Sequence, residues 1–110
     1  MALEFSHVAI TVPLVSLAEA KAHLRITDAL HDVDIQQKLD TAQEEILAKL
    51  GAAADATWTA TTAPRVIRGC ILMLLEALYD REYNATADAF MKSWEAINQM
   101  LGMYRDPALG

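Results

Sequence analysis

Apolar residues recur at steps of three and four along most of the chain, which is the spacing of one face of an α-helix. The clearest case runs from about Asp32 to Leu50, and its apolar stripe is Ile35, Leu39, Ala42, Ile46 and Leu50. Asp32 or Asp34 can cap the start, the opposite face is polar, and Gly51 is a suitable stop. The pattern predicts a helix over about 32–50 with one face buried.

A shorter helix is indicated just before this segment. Ser16 and Glu19 have the spacing of a capping box, in which each side chain accepts a backbone N–H of the first turn. The apolar face that follows is short, so we expect this helix to end near Arg25–Ile26.

The third helical segment is the most apolar. Thr62 as a cap and Pro64 in the first turn predict a helix over about 63–83. Its apolar residues surround almost the whole circumference: Val66, Ile67, Cys70, Ile71, Met73, Leu74, Leu75, Ala77 and Leu78. Such a helix should be buried on all sides. We expect the rest of so short a chain to leave part of it uncovered, which favours a subunit contact.

A fourth helix is predicted over about 88–101, with Gly102 as its end. Its apolar positions repeat at steps of four, three, four and three, which is typical of a helix packed along another helix. This seam consists of Phe90, Trp94, Ile97, Leu101 and Tyr104. We expect Trp58 to anchor the small-residue linker over 52–62, which separates the second and third helices.

The two ends differ from the helical middle. Val8, Ile10 and Val12 alternate with smaller or polar residues, which is the period of a strand, and Pro13 ends the pattern. A lone strand must pack on the bundle or pair with a neighbouring subunit. The sequence therefore predicts a single all-α domain: an extended arm over 1–15, a four-helix bundle over 16–103 and a short tail over 104–110.

Composition excludes several classes of protein. The 110 residues are 54% hydrophobic with a net charge of −6, and one cysteine cannot form an internal disulfide. A sequence pI of about 4.8 with no basic run argues against a typical nucleic-acid binder. No apolar run approaches the roughly 20 residues that a membrane span needs, and the first 15 residues do not resemble a secretory signal.

The sequence offers no convincing catalytic or metal site, so we predict no enzyme activity and no cofactor. Cys70 lies in the most apolar helix and is interpreted as a core thiol. The aspartates of 28–34 lack the glycine and glutamate of a calcium loop and are better explained by helix capping. Glu76 and Asp80 share a helix face, where an ion-pair network with Arg68 and Arg81 is the preferred interpretation.

Three segments resemble the head–tail connector (adaptor) proteins of tailed bacteriophages. The opening from Val15 to Ile26, VSLAEAKAHLRI, is similar to the family's "s-L-x-E-A-K-x-H-L-R-I" pattern. The segment Leu78 to Glu82, LYDRE, resembles the "Y-x-x-R-E" end of an apolar helix, and Met100 to Arg105 resembles a C-terminal "L-L-x-x-Y-R". The resemblance covers about residues 15–105. One departure is that 87–90, ADAF, stands where the family usually has a proline-led segment.

The resemblance implies a ring below the portal vertex of the capsid that extends the DNA channel and offers a platform for the stopper or tail. The usual symmetry of a portal implies a ring of twelve copies. The resemblance also implies that the copies are made in the host cytoplasm and placed in the virion neck. DNA would pass without sequence-specific binding, and no membrane is involved. The partners implied are therefore other copies of this chain, the portal and a tail or stopper protein.

Candidate contact residues follow from this interpretation. For the subunit interface they are Val8, Ile10, Val12, Arg65, Arg68 and Arg81. For portal docking they are Tyr104, Arg105, Asp106, Pro107 and Leu109, because a short segment can order in a groove and gain from avidity around a ring. Two alternatives remain open, namely a small helical DNA-binding or DNA-packaging accessory protein and a small helical enzyme.

Overall fold

The computed structural model describes residues 12–51, 54–55, 57–83 and 87–105, with the backbone alone at 81–83, 87–88, 90 and 103–105. Four helices follow one another along the chain. They are α1 (Leu17–Leu24), α2 (Asp32–Leu50), α3 (Arg65–Tyr83) and α4 (Ala87–Arg105). The described part of the chain contains no strand, and the predicted all-α bundle is confirmed.

Helix α1 begins with the predicted capping box. The Ser16 hydroxyl accepts the N–H of Glu19, and the Glu19 carboxylate accepts the N–H of Ser16, both at 3.1 Å. The helix ends one or two residues earlier than predicted because Arg25 takes a left-handed conformation with φ of 61°. Its N–H and that of Ile26 then bond back to the carbonyls of the last turn.

Helix α2 has the predicted bounds, and all five residues of its apolar stripe are buried. Gly51 ends it with φ of 55°, a conformation that glycine adopts without steric cost. The prediction that Asp32 or Asp34 caps the helix is wrong, because the cap position belongs to His31, and its side chain does not cap the first turn of the helix. Both aspartates instead lie in the first turn, where the helix dipole favours negative charge.

Helix α3 begins two residues later than predicted. The Pro64 carbonyl accepts the N–H groups of Ile67 and Arg68 at 3.1 Å, so the helix starts at Arg65. The predicted cap, Thr62, closes the preceding turn instead, since its hydroxyl accepts the N–H of Thr59 at 2.8 Å. Trp58 is buried and anchors the linker as predicted.

Helix α3 is central and is covered by its own chain. It packs against all three other helices, and Leu14, Val15, Ala54 and Trp58 belong to the same core cluster. Every apolar residue over 66–78 is buried or half-buried as a result. Four apolar side chains nevertheless keep part of their surface accessible, namely Val66, Leu72, Met73 and Leu78. The segments before α1 and after α2 complete most of the cover, and the subunit contact inferred from this helix stays a prediction.

Helix α4 continues past its predicted end. Gly102 does not take a positive φ, so it does not break the helix, which runs to Arg105. Within the predicted seam, Ile97 and Leu101 are fully buried and Trp94 is half-buried. Tyr104 and Arg105, predicted to open the tail, are helical in the backbone.

Candidate docking surfaces

Residues 12–15 form the entry segment, through which the chain enters the bundle, and this segment is hydrogen-bonded to α2. The Gln43 side chain accepts the N–H of Leu14 at 2.8 Å and donates to the carbonyl of Val12 at 3.0 Å. Leu14 and Val15 are almost fully buried, whereas Val12 is 45% exposed. The N-terminal side of this segment therefore meets solvent at Val12. Gln43 belongs to the polar face opposite the apolar stripe of α2, so the periodicity of the sequence gave no sign of this contact.

Arg68 of α3 makes the second set of contacts with the entry segment. Its Nε donates to the carbonyl of Leu14 at 3.1 Å, and its Nη2 forms an ion pair with Glu19 Oε2. The Ser16 N–H and the Arg68 guanidinium lower the pKa of the Glu19 carboxyl, because both stabilise its charged form. Arg68 thus joins α1, α3 and the entry segment inside one molecule.

The other two arginines predicted for an interface differ from Arg68. Arg65 is exposed at the first residue of α3, and the side chain of Arg81 lies outside the described residues. A subunit or channel role for Arg65, Arg68 and Arg81 stays a prediction.

A groove of about 320 Å³ lies between the entry segment and α2. It is lined by Pro13, Val15, Leu39, Asp40, Gln43, Glu44 and Leu47. The apolar part is formed by buried Val15 and Leu39 with half-buried Leu47, and the carboxylates of Asp40 and Glu44 are exposed. No sequence signal indicated this groove, because it forms only when residues 13–15 pack beside a helix some thirty positions later.

An exposed apolar pair lies where the turn between α1 and α2 leads into α2: Leu30 is in the turn and Val33 is in the first turn of α2. Leu30 is 86% exposed and Val33 is 75% exposed, more than the other large apolar side chains of the described chain. Asp28 accepts the N–H of Leu30 at 3.0 Å, and Lys21 pairs with Asp32 at 2.7 Å. The turn is thus held by polar contacts while the apolar side chains of Leu30 and Val33 face solvent.

The remaining polar contacts tie helix to helix. Glu76 pairs with His23 of α1 at 2.8 Å, and Arg68 pairs with Glu19. The part of the predicted ion-pair network that involves Arg81 stays a prediction, because that side chain lies outside the described residues. Lys49 lies 5.4 Å from the ring centre of Trp94, which is a cation–π contact between α2 and α4. These contacts fix the relative positions of the helices and involve no convergent polar site.

The described residues contain little that suggests catalysis. Cys70 is fully buried, and burial raises the pKa of its thiol, which disfavours the reactive thiolate. Among these residues no group of three or more metal-ligating side chains comes together. The aspartates considered for calcium serve other partners, since Asp34 pairs with Lys38 at 2.7 Å.

The remaining predicted contact residues fall largely beyond this description. Val8 and Ile10 lie outside the described residues, as do Asp106, Pro107 and Leu109. Val12 is exposed, as a contact residue must be. Tyr104 and Arg105 are placed on the last turn of α4, with only their backbone described.

Comparison with known proteins gives one match. The family described as phage gp6-like head-tail connector protein matches residues 14–99. No curated protein and no solved structure matches the chain. No helix in the described residues is long and apolar enough to cross a membrane. Because the match spans well over half of the sequence, the chain belongs to the phage gp6-like head-tail connector family and is a structural protein that associates with phage head and tail components.

Proposed function

We propose that copies of this chain form a closed ring in the virion neck, between the capsid portal and the tail or stopper. The ring extends the DNA channel, and its action is binding, without chemistry. Twelve copies would match the usual symmetry of a portal. Membership of the connector family supports the location, and the exposed apolar turn supports the need for protein contacts.

The observation that carries this proposal is the pair Leu30 and Val33. With α3 covered by its own chain, these two residues are the most exposed large apolar side chains of the described structure. In an isolated molecule these side chains leave apolar surface in contact with water. Burying each side chain would stabilise the protein by about 1.5–3 kcal/mol. Contact with another component of the neck would bury them.

Ring closure imposes a further requirement on each copy. Neighbours in a ring meet through two different surfaces, one on each side of the subunit. We place the arm, with Val8, Ile10 and Val12, at one of these contacts. Val12 supports this assignment, because it is held beside α2 by Gln43 and is exposed, as a contact residue must be. Arg65, Arg68 and Arg81 are assigned to the boundary between copies or to the channel wall.

The charge of the chain suits a conduit for DNA. A net charge of −6 per copy repels phosphates, so a ring of copies gives DNA few places to bind. Arg68 adds little attraction because Glu19 already neutralises it. Passage without sequence-specific binding follows from this charge distribution.

The test is to measure the mass of the purified protein with and without portal assemblies and to image the complex by electron microscopy. We expect a closed ring of many copies on the portal. A single copy per portal, or no attachment, would contradict the ring. Salt-sensitive binding of duplex DNA by the isolated protein would instead favour the DNA-binding accessory role.

A further inference from the structure

The two carboxylates on the rim of the groove beside α2 carry negative charge that the chain leaves uncompensated. Asp40 and Glu44 are exposed and lie four residues apart, so they share one face of α2. Like charges at this spacing destabilise a helix. Asp40 accepts a hydrogen bond from the neutral Gln36 side chain at 2.9 Å, whereas the Glu44 carboxylate has no partner among the described residues. A cation from outside the molecule would relieve their repulsion.

The lining of the groove favours one kind of cation. Below the carboxylates, the wall is apolar and is formed by Pro13, Val15 and Leu47. An arginine side chain has an aliphatic stem that packs on apolar surface and a charged end that stays near polar groups. Its guanidinium can also donate to two carboxylate oxygens at once. An arginine therefore matches both the wall and the rim.

The start of α3 has the opposite imbalance of charge. Arg65 is exposed and is the first residue of this helix, and the first turn contains no acidic residue. The helix dipole already makes this end positive, so a cation here is unfavourable within the molecule. The Arg65 side chain has no hydrogen bond or ion pair among the described residues. A carboxylate from outside the molecule would stabilise both the guanidinium and the end of the helix.

The other exposed cations of the described chain lack this imbalance. Arg25 lies at the C-terminal end of α1, where the helix dipole favours positive charge. Lys49 makes the cation–π contact described above. Lys92 has Glu95 three positions later on the same face of α4. Arg65 is therefore the cation that gains most from an external carboxylate.

The groove and Arg65 lie on opposite sides of the entry segment. Gln43, which lines the groove, accepts the N–H of Leu14 from the side of α2. Arg68 donates to the carbonyl of Leu14 from the side of α3, and Arg65 shares its helix face one turn earlier. Neighbours in a ring meet through two unlike surfaces, one on each side of the subunit. The two features are placed as such a contact requires.

We propose that Arg65 of one copy binds in the groove of the next copy, between the carboxylates of Asp40 and Glu44. This inference rests on the proposed ring and names the two unlike surfaces of one contact in it. The contact neutralises the repulsion on α2 of one copy and brings negative charge to the start of α3 of the other.

The test is reversal of charge on each side of the contact. The first full-length variant carries Arg65→Glu, the second carries Asp40→Lys with Glu44→Lys, and the third carries all three changes. The second variant replaces one like-charged pair by another, so the repulsion within α2 is unchanged. Co-sedimentation and electron microscopy give the protein concentration at which rings form on portal assemblies, and circular dichroism gives the unfolding temperature.

We expect the first and second variants each to raise the concentration needed for rings by about tenfold or more, because like charges then meet at the contact. The third variant should recover most of this loss, because opposite charges face each other again. Arg65→Glu should unfold at the wild-type temperature or above it, since an acidic residue suits the first turn of a helix.

Two controls separate this contact from the effect of net charge. Lys92→Glu makes the same change in charge as Arg65→Glu, at an exposed position on α4. Glu45→Lys with Glu95→Lys makes the same change as the second variant, at exposed positions that do not line the groove. Both controls should form rings at the wild-type concentration.

Each other result overturns a specific claim. Wild-type rings that the two reversals do not weaken, or that the combined variant does not recover, would overturn the Arg65 contact and leave the ring standing. A lower unfolding temperature for Arg65→Glu, together with weaker assembly, would place Arg65 in its own fold and also overturn the inference. Absence of rings for the wild-type chain would overturn the proposed ring and, with it, this contact.

Discussion

At the scale of single residues, the polar side chains that matter most act on backbone groups far away in the sequence. Gln43 satisfies the N–H of Leu14 and the carbonyl of Val12, and Arg68 satisfies the carbonyl of Leu14. A buried backbone group without a partner is costly, so these side chains allow the entry segment to be buried beside the helices. Together they hold residues 12–15 against α2 and α3.

The first prediction concerns the bond from Gln43 to the entry segment. Replacing Gln43 with Leu leaves the part-buried N–H of Leu14 without its acceptor, which should lower the free energy of unfolding by about 1–3 kcal/mol. The matched control is Gln37→Leu on the same helix, where the side chain is exposed and the change should stay within about 0.5 kcal/mol. Urea unfolding followed by circular dichroism measures both, and equal losses would contradict the anchoring role.

The second prediction concerns pH and Glu19. The folded state lowers the pKa of this carboxyl from 4.5, so unfolding takes up a proton when the pH lies between the folded and unfolded values. The stability that Glu19 contributes is therefore present above about pH 4.5 and is lost as the pH falls through the lower, folded pKa. The variant Glu19→Gln should be less stable than wild type at neutral pH.

Thermal unfolding across pH 2–7 checks this effect of Glu19. The difference between wild type and Glu19→Gln should shrink as the solution becomes acidic. Glu45→Gln, at an exposed position on α2, is the control and should track wild type at every pH. A constant difference for Glu19→Gln across the whole range would mean that the charge of Glu19 is not what stabilises the fold.

At the scale of elements, local signals in the sequence predicted the helices well, while non-local packing was out of their reach. The capping box at Ser16 and the stripe of α2 depend on residues three or four apart, and both are confirmed. The groove and the Gln43 contact depend on residues about thirty positions apart, so periodicity gave no sign of them.

Two differences at this scale share that cause. The sequence predicts that Gly102 ends α4, but a glycine ends a helix only where the chain turns away, and packing of fully buried Leu101 keeps α4 in place. For α3, residues 14–15 and the linker cover apolar surface that the helices alone would leave open. The most exposed large apolar side chains of the described chain are Leu30 and Val33, at the turn that leads into α2.

The third prediction tests that turn. Replacing both Leu30 and Val33 with Ser removes apolar surface that solvent already contacts, so the free energy of unfolding should change by less than about 1 kcal/mol. Association with other neck components should weaken, because the side chains that would be buried there are gone. Analytical ultracentrifugation with and without portal assemblies measures the association.

The control for the turn is Met91→Ser. Met91 is also a large apolar residue with more than half of its surface exposed, and it lies on α4. It should affect neither stability nor association. If the double variant of the turn associates as well as Met91→Ser does, the turn is not a contact surface.

At the scale of the whole molecule, the fold presents a compact helical core with apolar or acidic features near its surface. The core is largely closed on itself, since α3 contacts the other three helices and, among its described side chains, keeps no large exposed apolar residue. In the proposed ring, the contacts would be made by the arm, the turn before α2 and the residues after α4. This division between the core and the contact segments lets the subunit fold before it binds its partners.

The last prediction follows from this division and concerns the residues after α4. Because the helix includes Tyr104 and Arg105, a deletion of 106–110 keeps the helix whole and removes Asp106, Pro107 and Leu109, three of the five residues predicted to dock on the portal. The shortened chain should unfold at the wild-type temperature and form the same contacts between copies. Its attachment to portal assemblies should be lost or strongly reduced, because weak contacts repeated around a ring disappear together.

Co-sedimentation with portal assemblies measures this attachment, and Ile10→Asp in the full-length chain is the matched control. That variant should weaken the proposed contacts between copies, which analytical ultracentrifugation measures, whereas the chain lacking 106–110 should keep them. If the chain lacking 106–110 still sediments with portal as wild type does, the docking surface lies elsewhere on the chain. The exposed turn at Leu30 and Val33 would then be the surface to test next.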